Sequence, residues 1–476
     1  MERATLVPGE LPAALTDLVG PYLARQRWYA GSGPPATWRV VGSGHLGDAG
    51  SPMSRLWWAI IEANGSEYQL LVAQRPEADG GVRVRGHEEA FLGNAGGFTY
   101  YDATVDAEMA LRLLEVASGG SERAQRARPL VAEQSNTSVV YDDRLILKIF
   151  RRLSRGPNPD VEVTSALAAA GFPHVAPPLV RWQRDGTDLA FGQQYLAGGT
   201  DGWALALTSL HDLYGAAGPG AHPAMSGGDF AAEVERLGQM TGEMHLAMAR
   251  AFGVCHTYGA AWADLLRSIE RQLGRAKPDL VVAAQPLLRR LRSVADPGPA
   301  VRAHGDYHLG QVMRTDGGWY VMDFEGEPNR SLEERSSRSS VMKDVAGMLR
   351  SLNYASRFAL AERADAASDA LEPLARAWED RNRTAFMRGY LACEGTAELM
   401  PASLQDRLGV RLAFELDKAL YELAYEKVFR PGWAAIPEAA VRRLVLEPAE
   451  GLTGSVPEPL EPPGAPETTF RSSDDD

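Results

Sequence analysis

The sequence predicts an α+β protein in three parts, and three observations predict it. From Leu11 to about Leu113 short apolar runs alternate with turn residues. A second, shorter β-rich stretch with one helix follows. From Trp203 onward helical periodicity dominates, broken by a single hairpin. A chain of 476 residues that is 45% hydrophobic can bury two or three cores. Its net charge of −13 argues against nucleic acid as a partner. Cys255 and Cys393 lie far apart without CxxC spacing, which points to neither a disulfide framework nor a zinc knuckle. The N-terminus lacks a basic stretch followed by a sustained apolar one, and no window approaches the ~18 apolar residues of a membrane span. The compartment these features suggest is the cytoplasm, with no membrane attachment.

In chain order, PYLARQRWYAGSG predicts an amphipathic helix ending at Gly31, followed by strands in WRVVGSGHL, RLWWAIIEA, YQLLVAQRP and FTYYDA. Residues 1–115 then form a small N-terminal α/β cap domain. In 116–200, TSVVYDD, RLILKIFRR and LAFGQQYL are strands and DVEVTSALAAAGF is a helix, the makings of a small lobe. Residues 201–450 form a helical lobe. Residues 451–476, rich in Pro, Ser and acidic side chains and without periodicity, read as a disordered tail.

The hairpin carries the chemistry. VMRTDGGWYVMDF has an apolar strand on each side of Asp316-Gly317-Gly318, so the chain returns Asp323 to the neighbourhood of Gln311 and Asp306. Two carboxylates and an amide carbonyl form an all-oxygen set, suited to Mg²⁺ sharing its shell with phosphate oxygens. The chemistry suggested is phosphoryl transfer, with Gln311 and Asp323 as metal ligands and Asp306, between Gly305 and Gly310, as the base that orients and deprotonates a hydroxyl. His304 and His308 have the spacing of a zinc helix pair, but the glycines oppose a helix and the zincin Glu is absent.

A kinase needs further parts, and they lie upstream. Lys148 stands in the middle of an apolar strand, where an ammonium requires an anion such as an ATP phosphate. Glu162 in the next helix is the carboxylate expected to hold it, while Asp160 reads as a helix cap. EQSNTSVVYDD lacks GxGxxG, yet its amides and the hydroxyls of Ser135, Thr137 and Ser138 could cover the phosphates. FGQQYLAGG has the character of an interlobe hinge, with Gln194 and Leu196 as candidates to pair with adenine.

With these parts in order, the chain resembles the actinobacterial maltokinases, relatives of the aminoglycoside phosphotransferases. The resemblance rests on RQRWYAG, EQSNTSVV, LILKIFRRL, NPDVEV, HGDYHLGQV, DFEGEP, DVAGMLRS and FELDKALYELAYE, and so covers nearly all of the chain before the tail. It implies a bilobal protein-kinase-like fold preceded by a cap, with ATP bound between the lobes. It implies ATP-dependent phosphorylation of maltose at its anomeric hydroxyl, giving maltose 1-phosphate for α-1,4-glucan (glycogen) synthesis from trehalose. Trehalose synthase is then a partner that the cap could recruit. By position, Asp306 matches the base, Gln311 and Asp323 the Mg²⁺ ligands, and Lys148 the phosphate-binding lysine. The sugar site falls on the FELDKALYELAYE helix, where Lys418, Tyr421 and Tyr425 at i, i+3 and i+7 offer an ammonium and two aromatic platforms on one face. Glu325 and Glu327 are placed to bind sugar hydroxyls or to support the metal, and Asp344 and Arg350 to brace the loop. KVFRPGW departs from the Asn-containing turn expected of the family there. A glucosamine or other monosaccharide kinase on the same fold is the alternative, with Glu422 or Glu426 as carboxylates for an amine, and a silent pseudokinase is a third reading. Lys418 opposes the amine, because two cations repel.

Overall fold

The computed structural model describes residues 6–46, 53–130, 135–216, 221–225, 228–256, 258–327, 330–363 and 368–447. The acidic tail expected at 451–476 lies outside them. The N-terminal part is an antiparallel sheet in the order Leu6–Pro8, Trp38–Leu46, Arg55–Ala63, Ser66–Pro76, Phe98–Asp102, Phe91–Ala95. The central strands coincide with the predicted runs, and their side chains divide by the two-residue period. Trp57, Ala59 and Ile61 face a core made with Leu15, Val19, Tyr22 and Leu23 of helix Ala13–Leu23. Leu56 and Trp58 face the opposite way, into a second core.

The helix stops at Leu23 and does not run to Gly31. Arg25 donates to Phe91 O at 2.6 Å and Gln26 to Glu89 O at 2.9 Å, tying RQRWYAG to the neighbouring strand region. Trp28 and Tyr29 both turn inward against Tyr68, an arrangement that tertiary packing prefers to another helical turn.

A five-stranded antiparallel sheet follows, ordered Pro178–Arg184, Thr187–Gln194, Leu145–Phe150, Asn136–Tyr141, Ala127–Leu130. In chain order, helix Pro159–Ala169 lies between strands Leu145–Phe150 and Pro178–Arg184 of this sheet. It is opened by Asn158, whose side chain accepts Asp160 N at 2.8 Å, and by Pro159 in its first turn. Leu147, Ile149, Val161 and Phe191 of this unit share one core with Leu56, Trp58, Leu71, Met109 and Leu113 of the cap. Arg152–Leu153 even adds a short strand to the cap sheet.

Polar groups also cross this seam. Gln69 donates to Phe150 O and Leu189 O at 3.1 and 2.9 Å. The fully buried Arg151 pairs with Asp102 at 2.7 Å, while Trp28 lies against its guanidinium, 5.6 Å from ring centroid to Cζ. RQRWYAG therefore does structural work: its Trp covers the cation that joins cap to lobe.

The remaining part is helical around one large core. Strands Val312–Thr315 and Gly318–Val321 form the predicted hairpin, closed by Asp316-Gly317 and extended by Thr200–Asp201. Helix Met342–Ala361 runs beneath the loop that precedes the hairpin, and helix Leu404–Phe429 packs across it. Among the described residues no helix is long and apolar enough to cross a membrane.

Candidate active site

The loop carrying Asp306 is pinned from below. Asp344 is fully buried and accepts His304 N at 2.7 Å and Gly305 N at 2.9 Å. Its Oδ2 lies 3.1 Å from His245 Nε2, whose Nδ1 is 2.9 Å from the Tyr390 hydroxyl. Burial alone would raise the Asp344 pKa, but the bond and charge of His245 and the loop amides bring it below the usual carboxylate range. Gly347 makes the close approach possible, since a Cβ there would stand 2.5 Å from Tyr307 O. Gly305 takes a φ of +88°, in the region glycine enters without strain.

Above this support, Asp306 Oδ1 accepts Lys418 Nζ at 2.7 Å across 112 residues of sequence. Glu327 accepts the same ammonium at 3.2 Å and is held in turn by Arg330 Nε at 3.0 Å. Burial pushes the Asp306 pKa up, and Lys418 with His308 and His304 more than reverse it, to well below the ordinary range. Lys418 itself is raised, burial being outweighed by Asp306, Glu327 and Glu422. Its ammonium lies 5.0 Å from the Tyr421 ring centre, and Tyr425 follows with its ring 6.5 Å from that of Tyr421. The three predicted residues of this helix thus form one stripe beginning at Asp306.

A second cluster surrounds Lys148. Its Nζ lies 2.7 Å from Asp323 Oδ1, 2.8 Å from Glu325 Oε1 and 3.2 Å from Asp160 Oδ2. Gln311 Nε2 donates to Asp323 Oδ2 at 3.1 Å, which leaves the Gln311 carbonyl oxygen as a further donor for a cation. Asp323 has a φ of +62°, a left-handed conformation uncommon for a residue other than glycine. The Asp160, Asp323 and Glu325 oxygens lie within 4.8 Å of one another. Three carboxylates against one ammonium leave two negative charges unbalanced, the complement of one hard divalent cation. That mismatch is visible in Glu325, whose pKa is raised by burial and by Asp323 and Asp160 despite Lys148. Asp323 also meets a burial penalty, but Lys148 lowers its pKa.

Several expectations need correction. Glu162 does not hold Lys148; it faces Arg302 at 3.4 Å, and Asp160 takes the lysine. Two residues turn a helix by about 200°, so only one of the pair can face the sheet, and Asp160 does so while also accepting Phe324 N at 3.0 Å. Thr137 points toward the cap, accepting Arg151 Nε at 2.8 Å. Strand alternation explains it: Ser138 is the cross-strand partner of Lys148 and shares its face, as does Asn136, whose amide donates to Glu325 at 2.9 Å. Ser135 is exposed just before that strand, and residues 131–134 lie outside the described residues. Glu325 belongs to the Lys148 cluster and not to the Lys418 stripe; Glu327 is the carboxylate beside Lys418. Arg350 does not brace the loop but pairs with Glu422 at 2.5 Å. Gln194 ends its strand with N–H donated to Pro177 O at 2.9 Å. Proline has no N–H to return, so the Gln194 carbonyl goes without that strand bond, two residues before Leu196. Asn136 and Asp160 were missed as cleft residues; counting the two-residue period from Lys148 through its strand partner would have found Asn136.

Two family models match the chain. Residues 126–380, more than half of it, match the phosphotransferase enzyme family, and residues 22–106 match the maltokinase N-terminal cap domain. A glucosamine kinase from Mycolicibacterium smegmatis is 30% identical over 69% of this chain and 82% of its own length. Another, from Streptacidiphilus jiangxiensis, is 27% identical over 72% and 78%. Among solved structures, a glucosamine kinase in complex with glucosamine, ADP and inorganic phosphate superposes with a TM-score of 0.60 at 19% identity, covering 91% of this chain and 99% of that one. This chain belongs to the phosphotransferase enzyme family and carries a maltokinase-type cap ahead of its two kinase-like lobes.

Proposed function

We propose that this enzyme is an ATP-dependent sugar kinase that phosphorylates maltose at its anomeric hydroxyl, yielding maltose 1-phosphate and ADP. The observation that carries the reading is the contact between Lys418 and Asp306, which joins the acceptor helix to the base. Tyr421 and Tyr425 continue from that contact as platforms for the apolar faces of a disaccharide. The product would supply α-1,4-glucan synthesis.

Asp306 is ionised at neutral pH, so it can accept a hydrogen bond from the anomeric hydroxyl and aim its oxygen at the γ-phosphorus. The new O–P bond forms as the bond to the β,γ-bridging oxygen breaks, ADP leaves with that electron pair, and the hydroxyl proton passes to Asp306. A carboxylate with so low a pKa is a weak base toward an intact alcohol. It suits a loose transition state, in which the proton moves late and positioning supplies most of the acceleration. Lys148 pairs with phosphate oxygens, and the Gln194 carbonyl with the Leu196 amide are the hinge groups for adenine. Mg²⁺ fits the oxygen-rich set of Gln311, Asp323, Asp160 and Glu325, and when bound it offsets phosphate charge there.

Glucosamine is the second reading, favoured by the two glucosamine kinases among the relatives. Against it, Lys418 would repel an ammonium beside Asp306, Glu422 is paired with Arg350, and one oxygen of Glu426 is taken by Tyr354 and Arg430. The test is ADP release with Mg²⁺ and ATP over maltose, glucose, glucosamine and trehalose, with NMR reading the position of the phosphate. Phosphate on the anomeric oxygen of maltose supports the proposal; turnover of glucosamine with maltose inert overturns it. Asp306→Ala should remove nearly all turnover while ATP still binds.

A further inference from the structure

We propose that the acceptor site extends beyond a disaccharide, and that Phe429 forms a further glucosyl subsite, making maltotriose and longer α-1,4-glucans acceptors in their own right. The inference rests on the maltose reading and deepens it. Along helix Leu404–Phe429, Lys418, Tyr421, Tyr425 and Phe429 follow at steps of three, four and four residues, a repeat that keeps them on one face. The contacts bear this out. The Lys418 ammonium lies 5.0 Å from the centre of the Tyr421 ring, Tyr421 lies 6.5 Å from Tyr425 at 21°, and Tyr425 lies 4.6 Å from Phe429 at 37°. The row begins at the proposed base and ends at a phenyl ring that is 61% exposed.

An exposed phenylalanine at the end of a helix is poor economy for a fold. The Tyr side chains behind it are half-buried, and Phe429 contributes no side chain to the helical core. The step along the helix axis is about 5.4 Å per turn, a scale on which successive pyranose rings of an α-1,4-glucan can each meet one aromatic ring. With the reducing end at Asp306, the first glucosyl unit meets Tyr421 beside Lys418, the second meets Tyr425 and the third reaches Phe429. Arg430, 5.7 Å from the Tyr425 ring and bonded to Glu426, closes the outer side of this row and offers donors to hydroxyl rims.

The experiment compares maltose, maltotriose and maltotetraose as acceptors for the full chain and for Phe429→Ala, with ADP release giving kcat and KM and mass spectrometry identifying each phosphorylated sugar. Maltotriose should be phosphorylated with a KM below that of maltose. The substitution should lower the ratio of kcat/KM for maltotriose over maltose by about fivefold, the scale of one stacking contact. Phe429→Trp should preserve that ratio, which a merely structural role for the side chain would not predict. A maltose-active enzyme that discriminates against maltotriose, or whose ratio is the same in Phe429→Ala, overturns the subsite alone. Failure on every α-glucan with turnover of glucosamine overturns the maltose reading beneath it.

Discussion

Replacing Lys418 by methionine removes a charge and keeps most of the volume, and it isolates what that charge does. In the parent protein the ammonium sits 2.7 Å from Asp306 and 3.2 Å from Glu327, with the lysine and Asp306 side chains each only 16% exposed. An opposite charge this close lowers a carboxylate by about 1–3 pKa units, or roughly 1.4–4 kcal/mol. Without it only His308 and His304 oppose the burial penalty on Asp306, and its pKa should rise to or above the ordinary ~3.9. The acid limb of the kcat/KM profile should therefore move to higher pH by at least about one unit. In the proposed acceptor site a charge-assisted hydrogen bond to the sugar, worth about 1.5–3 kcal/mol, would be lost as well, so kcat/KM should fall by roughly 10- to 150-fold. Stability gives an independent check with a definite sign. In the parent the depressed Asp306 pKa stabilises the fold above ~4 and that contribution fades as pH falls; in the variant a raised pKa destabilises as pH rises through ~4 and beyond. The gap between the two denaturation midpoints should open with increasing pH. A Lys418→Met enzyme with an unmoved acid limb and near-parental kcat/KM would refute the assignment of this pair.

Asp160→Asn should lower kcat at least about tenfold, because Lys148 loses the carboxylate that Asp160 Oδ2 offers it while the amide oxygen can still accept Phe324 N, whereas Glu162→Gln should stay within about twofold; steady-state kinetics on the pair would expose a wrong choice if the order were reversed. Arg151→Met strands the buried Asp102 carboxylate and should cost about 3–5 kcal/mol in urea-induced unfolding, since its side chains are only 1% and 8% exposed and solvent screens them little. Asp344→Asn keeps the shape but loses the charge facing His245. It should reduce kcat more than the KM for either substrate, because the Asp306 loop loses its anchor while the binding surfaces remain; an unchanged kcat would show that the anchor does not matter.

Much of this was legible in the sequence, and the failures share a cause. Strands such as RLWWAIIEA announce themselves because both faces are apolar, and Asp316-Gly317 between two apolar runs fixes the hairpin and with it the meeting of Asp323 and Gln311. Sequence could not tell which of Asp160 and Glu162 faces Lys148, because that depends on how the helix is rotated against the sheet. Nor could it tell Thr137 from Asn136, because the phase of a strand is set by its partner. The Trp28 contact with Arg151 was beyond reach, being a meeting of residues from two folding units.

That meeting has an evolutionary edge. The cap and the small lobe match different family models, yet a single core runs through both. Stripping the cap away would take from Leu147 and Ile149 their cap partners in that core and leave Arg151 bereft of its counterion. Such a fusion works as a ratchet: easy to tighten by successive apolar substitutions, hard to reverse by any one of them. A designer who wants the kinase-like lobes without the cap must rebuild that surface before cutting.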